Sequence, residues 1–479
     1  MSVRCLLLVP VLWLLAIALS LEPSWSQEKP KAKPNILLLL TDDQSYDTIA
    51  ALGNKEVITP NLDRLARSGT AFDNAYNMGG WNGAVCLASR AMFNTGRFLW
   101  RAHAVDNSLE RERQAGRLLP LMLKQAGYQT FMSGKWHVRI PADRIYDYTL
   151  HIRPGMPASL DAAYQRPNNM HAWTPWDTRL GGFWEGGKHW SEVLADDALV
   201  FLKQTATSDR PFFMYLAFNA PHDPRQSPRK FVERYKRSRL KIPANFQPQH
   251  PYMEAMGAGR WLRDERLAPW PRTPEAVQLH RQEYYALITH LDQQIGKILE
   301  ELKRTGQADN TYIVMTSDHG LACGQHGLMG KQNMYEHSLK APLIVAGPGI
   351  PAGKRIAAPV YVQDFVPTAL EWAQAPRPPH VEFKSLLPLI RGEKSLQYEL
   401  IYGTYELNRQ RMVRRGDNKL IYYPTIDKYE MYNLRLDPLE MRNLSESPQH
   451  ARALSDLKAD LKKIMVAMDD PLLHMSTAK

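Results

Sequence analysis

"PNILLLLTDDQ" (34–44) decides the fold. Ile36 to Leu40 are apolar without alternation, the pattern of a strand covered on both faces. The run stops abruptly at Thr41, Asp42 and Asp43. A helix-like stretch follows, "TPNLDRLARSG" (59–69), with Thr59 as N-cap, Pro60 at the first helical position and Gly69 at its end. The alternation then repeats. Helical "LLPLMLKQAG" (118–127) precedes the strand-like "YQTFMSG" (128–134), and "EVLADDALVFLKQT" (192–205) precedes "PFFMYLAFNAPH" (211–222). The long amphipathic "QEYYALITHLDQQIGKILEELKRTG" (282–306) precedes "NTYIVMTSDHG" (310–320), and "PLIVAGPG" (342–349) reads as another buried strand. Strands alternating with helices imply an α/β fold: a large, mostly parallel sheet covered by helices on both faces.

The proline cluster "APRPPH" (375–380) marks a change of pattern. "YELIYGTYE" (398–406) and "QRMVRRGDNKLIYYP" (410–424) read as antiparallel strands with a Gly-Asp-Asn turn, and "QHARALSDLKADLKKIMVAM" (449–468) as a last amphipathic helix. The expected organisation is a catalytic domain over 27–375 and a smaller C-terminal α+β subdomain over 376–479, built on a short antiparallel sheet. Residues 1–26 read as a secretory signal peptide: Arg4, an apolar run from Cys5 to Leu21, then the small residues Ser24 and Ser26 around Trp25. No second apolar run follows, so no membrane span is expected after cleavage. The expected home is the periplasm or the exterior of a bacterium, with a lysosome as the eukaryotic alternative.

Three cysteines exclude a disulfide framework and a zinc-finger pattern. The net charge of +11 suits an anionic substrate or surface, and no nucleic-acid motif accompanies it. Residues 226–241, "QSPRKFVERYKRSRLK", read as a solvated helix face.

In open α/β sheets the ligand lies beyond the carboxyl ends of the strands. Ionisable residues follow each of four predicted strands: Asp42 and Asp43; Lys135 and His137; His222; Asp318 and His319. Their convergence points to one shared site. Asp42, Asp43 and Asp318 are hard oxygen donors suited to calcium or magnesium, and three carboxylates in one place repel unless a cation sits among them. His319 adds a nitrogen donor. Arg90, Lys135 and Lys331 add a cationic layer, which with a metal makes a cradle for sulfate or phosphate. His137 and His222 can move protons near neutral pH. A helix starting near Cys86 would aim its first amides at the same place. Cys86 stands where a nucleophile belongs, yet a thiolate is a poor partner for a hard cation.

"CLASRAMFNTGR" (86–97) resembles the signature of the type I sulfatases, Cys-x-Pro/Ala-Ser-Arg followed after four residues by Thr-Gly-Arg. "PNILLLLTDDQ", "TPNLDRLARSGTAFDNAY", "GYQTFMSGKWH", "FNAPH", "TSDHGLACGQHGLMGKQNMYEH" and "EMYNLRLDPLE" also resemble sulfatase segments, in sulfatase order. His319, where many sulfatases carry Asn, resembles the subgroup holding iduronate-2-sulfatase and many bacterial exported sulfatases. The resemblance implies an alkaline phosphatase-like fold and a sulfuric ester hydrolase. It implies that a formylglycine-generating or radical maturation enzyme oxidises Cys86 to formylglycine, whose hydrate supplies an oxygen nucleophile. One calcium ion per chain would be held by Asp42, Asp43, Asp318, His319 and modified Cys86. Arg90 would fix the formylglycine, Lys135 would hold its hydrate and a sulfate oxygen, and His137 would act as base. His222 and Lys331 would bind sulfate and help protonate the leaving alcohol. Ala88 stands where many members have Pro, and maturation enzymes differ in accepting that change.

The expected substrate is a sulfate ester, with a sulfated carbohydrate favoured by "HAWTPWDTRLGGFWEGGKHW" (171–190), whose tryptophans could stack on sugar rings or simply pack. Trp184, Gln325 and His326 are the expected substrate contacts, and Arg225 with the long segment 223–275 is expected to shape the mouth. Two other readings fit the same residues: a phosphonate or phosphodiester hydrolase, and a non-catalytic binder of sulfated glycans if Cys86 stays unmodified.

Overall fold

In the computed structural model the run Ile36 to Leu40 is enclosed within the strand Asn35–Thr41. The residues described are 1–2, 33–158, 161–164 and 172–475. Residues 3–26 of the expected signal peptide lie outside them. Ile36, Leu38 and Leu40 pack on one face with Phe213, Tyr215 and Val314, while Leu37 and Leu39 pack on the other with Met214, Leu216 and Met315. Side chains on a strand alternate between faces, so an unbroken apolar run requires cover on both. The helix Pro274–Arg304 supplies part of that cover through Leu287, Leu291, Ile295 and Ile298.

The large sheet has eight strands, in the order Lys354–Ile356, Thr70–Phe72, Leu343–Ala346, Thr311–Ser317, Asn35–Thr41, Phe212–Ala217, Gln129–Lys135 and Tyr148–Arg153. All neighbours run parallel except Leu343–Ala346, which is antiparallel to both of its neighbours. The strands at Thr70–Phe72, Tyr148–Arg153 and Lys354–Ile356 were not expected from sequence. They are short or half-exposed and lack the apolar run of the central strands.

Register is what builds the site. Thr41 pairs with Ser317, Leu40 with Ala217, and Gly134 with Ala217. The carboxyl ends of four strands therefore finish level, and the residues just beyond them meet at one edge.

A second sheet runs Lys428–Asn433, Asn418–Tyr423, Gln410–Arg415, Leu400–Tyr405 and Gly79–Gly80. The first four strands are antiparallel, as expected, and carry the helix Ala451–Ala467. The fifth comes from the N-terminal half of the chain. A Cβ on Gly79 would lie 1.9 Å from the Thr404 carbonyl oxygen, and its φ is +87°, so only glycine fits there. Lys33–Lys479 form one compact unit, into which the change of sheet after residue 375 is sewn by this strand.

Two local expectations need correction. Thr59 sits at the N-cap but does not cap: its hydroxyl accepts from Ala50 N (2.9 Å) and donates to Asp63 (3.0 Å). Asp292, on the long helix, caps instead by accepting from the amides of Asn61 (3.1 Å) and Leu62 (2.8 Å). Residues 226–241 are not one helix face. They form a short helix Arg229–Val232 and a single turn Arg237–Arg239, with Phe231, Val232, Tyr235 and Leu240 buried in a satellite core.

Candidate active site

Asp42 and Asp43 follow the first strand, Asp318 and His319 follow Thr311–Ser317, and Lys135 ends its own strand. All five are buried. Asp43 and His137 have φ of +64° and +50°, a left-handed backbone that costs a residue with a Cβ about 1–3 kcal/mol and gathers at functional sites. A Cβ on Gly155 would press to 2.6 Å from His137 Nε2, so that glycine makes room for the ring.

Cys86 is the second residue of the helix Val85–Thr95, whose N-cap, Ala84, offers no side chain to the first amides. The signature divides by role along this helix. Cys86 faces the strand ends. Ser89 donates to the Asp318 carbonyl (2.9 Å) and accepts from Gln363 Nε2 (3.0 Å), a clamp that the sequence did not reveal. Arg90 donates from Nε to Asp318 Oδ2 (3.2 Å) and from Nη1 to the Lys135 carbonyl (2.6 Å). Thr95 bonds back to the Ala91 carbonyl, and Gly96, with φ +68°, ends the helix.

Around Cys86 the ionisable groups interlock. His137 Nδ1 lies 3.4 Å and Lys135 Nζ 3.6 Å from Sγ. Lys135 also donates to Asp42 Oδ2. Lys331 Nζ bonds both Asp43 oxygens at 2.9 Å, and His222 Nε2 lies 3.5 Å from Asp43 Oδ2. His319 Nε2 lies 3.2 Å from Asp43 Oδ1 and 3.7 Å from Asp318 Oδ1.

Burial works against a thiolate, yet Lys135 and Lys331, helped by His137 and His319, hold the Cys86 thiol well below its usual range. Burial pushes the Asp43 carboxyl up to about 8, against Lys331 and His319. Burial would discharge His319, but Asp318 and Asp43 outweigh it and push the ring up to about 9. A proton on His319 thus does what a cation would do. Burial, then Lys331 and Lys135, hold His222 well below its usual range.

The residues fit a hard cation. Ligand atoms of Asp42, Cys86, Asp318 and His319 lie within 4.8 Å of one another, as do those of Asp42, Asp43 and His222. Asp42 Oδ1 and His319 Nε2 are buried without hydrogen-bond partners. His319 Nδ1 is committed to the Gly320 carbonyl (2.9 Å), which leaves Nε2 as the ligating nitrogen. Carboxylate-rich ligation favours calcium or magnesium over zinc.

A cavity of about 210 Å³ opens over this cluster. Cys86, His137, His222 and Lys331 line it, so they are the groups able to touch a substrate. Lys135 and Arg90 are fully buried and act from beneath, Lys135 on the nucleophilic position and Arg90 on the carboxylates. Gly155, Met156, Leu262, Arg263, Asp264 and Gln332 also line the cavity. The sequence had flagged the segment 223–275 but none of these residues, because insertions carry no periodicity that marks which side chains turn inward.

Gln325, His326 and Trp184, the expected substrate contacts, are not among the lining residues. Gln325 accepts from the Cys323 amide (2.6 Å), and His326 stacks on Tyr335 with ring centroids 4.0 Å apart. Both order their own loop. Trp184 donates to the Pro175 carbonyl (3.2 Å) and meets His189 edge-on, packing loop against loop. Arg225 is buried, 3.7 Å from Cys323 Sγ and over the Tyr284 ring, away from the mouth.

A family model described as Sulfatase matches residues 34–375, and one described as N-sulphoglucosamine sulphohydrolase, C-terminal, matches residues 324–467. The N-acetylglucosamine-6-O-sulfatase of Bacteroides thetaiotaomicron is 29% identical, over 87% of this chain and 84% of its own. A solved structure in complex with its substrate D-glucosamine-2-N,6-O-disulfate superposes with a TM-score of 0.69 at 24% identity, covering 92% of this chain and 99% of its own. The phosphonate monoester hydrolase of Silicibacter pomeroyi superposes with a TM-score of 0.72 at 21% identity, covering 92% of this chain and 96% of its own, which is likeness of fold.

Proposed function

This chain belongs to the sulfatase family and is a sulfuric ester hydrolase, and we propose that it is an exported enzyme that removes sulfate from a sulfated carbohydrate. Formylglycine made from Cys86 would supply an oxygen nucleophile. A calcium ion held by Asp42, Asp43, Asp318, His319 and the modified residue would supply Lewis-acid polarisation and a template for the sulfate oxygens. The observation that supports this most is the pair of bare, buried atoms, Asp42 Oδ1 and His319 Nε2, in the cluster that contains Cys86.

The chain's own residues divide the remaining work. Lys331 reaches the cavity and presents positive charge and N–H donors to the sulfate and the leaving oxygen, and His222, its Nδ1 committed to the Asp223 carbonyl (2.6 Å), offers Nε2 there. His137 Nδ1, beside the Cys86 side chain, accepts the proton released there. Lys135 contacts the same side chain from the protein side and fixes its orientation, while Arg90 holds Asp318 in place. Export rests on the N-terminal pattern of Arg4, the run Cys5 to Leu21 and Ser24 to Ser26. Among the described residues, no helix is long and apolar enough to cross a membrane.

The test has two parts, on protein from a host with a maturation system. The mass of the peptide bearing residue 86 must show formylglycine in place of cysteine. The same sample must release sulfate from defined sulfated sugars, and must prefer an aryl sulfate to the matched aryl phosphonate and phosphodiester. An unmodified cysteine in active protein would remove the proposed nucleophile, and preference for a phosphorus ester would replace the substrate class.

A further inference from the structure

The cavity has a second charged wall that the chemistry above does not use. It comes from "GRWLRD" (259–264), within the segment 223–275. Leu262, Arg263 and Asp264 face the cavity, and the neighbouring Trp261 is 56% exposed. Its exposure separates it from the tryptophans of 171–190, of which Trp173 is buried and Trp184 packs as described.

Arg263 is held on several sides. Nη2 lies 2.5 Å from Asp264 Oδ1 and 3.3 Å from Asp223 Oδ1, Nη1 lies 2.9 Å from Met156 Sδ, and the guanidinium sits 5.5 Å from the centroid of the Tyr164 ring. Asp264 Oδ2 in turn accepts from Gln332 Nε2 (3.0 Å). One guanidinium therefore faces two carboxylates, and its charge is already matched. A wall built for a second sulfate or a uronic acid would offer unmatched positive charge. This one instead sets a donor, Arg263, beside an acceptor, Asp264, both lining the cavity, while Asp223 anchors the guanidinium from outside the lining. A donor beside an acceptor is the complement of a hydroxyl, which both gives and receives. An exposed indole next in sequence to the lining residues is the complement of a pyranose face.

We propose that Arg263, with Asp264 and Asp223, selects the leaving group, and that Trp261 stacks against it. The favoured substrate is then a sugar ring that carries hydroxyls and a single sulfate, with no second anionic group. This rests on the sulfatase reading and deepens it.

The test is steady-state kinetics of the matured full-length enzyme on N-acetylglucosamine 6-sulfate, glucosamine-2-N,6-O-disulfate, a 2-sulfated uronic acid and 4-nitrophenyl sulfate. The expected result is a kcat/KM on the monosulfated sugar at least tenfold above that on the other two sugars. Arg263→Met and Trp261→Ala should each lower the ratio of sugar to aryl turnover at least tenfold, chiefly through KM on the sugar. Because Trp261 is exposed, its variant keeps the test alive if Arg263→Met fails to fold. A higher kcat/KM on the disulfate or the uronic acid overturns the proposal, as does an unchanged ratio in the folded variants. Failure to release sulfate from any compound, 4-nitrophenyl sulfate included, overturns the sulfatase reading itself.

Discussion

Two of the clusters of buried charge among the described residues are built differently. In the first, Asp42, Asp43, Asp318 and His319 meet Lys135, Lys331 and Arg90 beneath a cavity. In the second, Glu336 and Glu440 flank Lys419 at 2.9 and 2.7 Å, Tyr76 donates to Glu336 (2.6 Å), and Arg414 donates to Tyr76. The second cluster is paired unevenly: burial pushes Glu440 up to about 7, and its Oε1 has the Lys419 ion pair but no hydrogen-bond partner, while Glu336 is fully paired. Burial favours the neutral acid, but Lys419, Lys340 and Arg414 prevail and hold Glu336 down at about 2. In the first, Asp43 is pushed up to about 8, Asp42 Oδ1 and His319 Nε2 lack hydrogen-bond partners, and the cavity lies directly above. The second joins the two sheets, because Glu336 follows the large sheet's strand ends and Lys419 lies on the small one. The first opens to a cavity, where a cation and an anionic substrate can meet its demand for charge.

That contrast can be broken by mutation. Cys86→Ala should reduce sulfate release by about a thousandfold or more while the near-ultraviolet circular dichroism stays native. A modest loss would mean that Cys86 is not the reacting position. Asp318→Asn should cost roughly a hundredfold in turnover and abolish stabilisation by calcium. Glu336→Gln should do the opposite, costing about 3–5 kcal/mol in chemical denaturation by leaving Lys419 and Arg414 less well paired, with turnover of the folded fraction close to wild type. If Glu336→Gln lost turnover before it lost stability, the two clusters would not be separate in role.

Acid should expose the same difference. The Glu336 carboxyl is depressed from 4.5 to about 2. A depressed acid contributes stability that is fully present above its unfolded pKa and is lost as pH falls toward its folded one. Stability should therefore drop by up to about 3 kcal/mol between pH 4.5 and 2, and Glu336→Gln should flatten that limb of the denaturation profile. For the first cluster, adding calcium to chelated protein at a hundredfold excess over Kd should stabilise it by about 2.7 kcal/mol. The absence of any calcium effect would leave the bare ligands unexplained. The smallest effect is expected at Trp184→Phe: about 1 kcal/mol from the lost bond to Pro175, with sugar turnover within twofold. A larger drop on sugar substrates would restore Trp184 to the binding surface.

Much of the candidate active-site cluster was legible beforehand. Asp42, Asp43, His222, Asp318 and His319 announce themselves as ionisable residues directly after apolar strands, and a parallel sheet brings such ends together. Arg90, Lys135 and Lys331 read as a cationic layer and Cys86 as a nucleophile ill suited to a hard cation, and only the family resemblance supplied formylglycine to resolve that mismatch. Ser89 was in view within that signature, but its clamp on the Asp318 carbonyl depends on a partner far along the chain. Trp184, Gln325 and His326 misled because aromatic and polar residues near a motif pack as readily as they bind. Arg263 and Trp261 were hidden for the converse reason: they sit in an irregular segment where orientation follows tertiary contacts alone.

By itself the sequence determined the central strands, the alternation that makes the sheet parallel, and the chemical kinds of residue at the strand ends. Those features are local, set by apolar runs, periodicity and helix ends. Only the tertiary structure decided that Gly79–Gly80 joins the second sheet, that Asp292 caps a helix distant in sequence, and that Lys135 works from beneath while Arg263 lines the mouth. Each of those depends on strand register and on which side of a loop faces inward, and no spacing along a single chain encodes either.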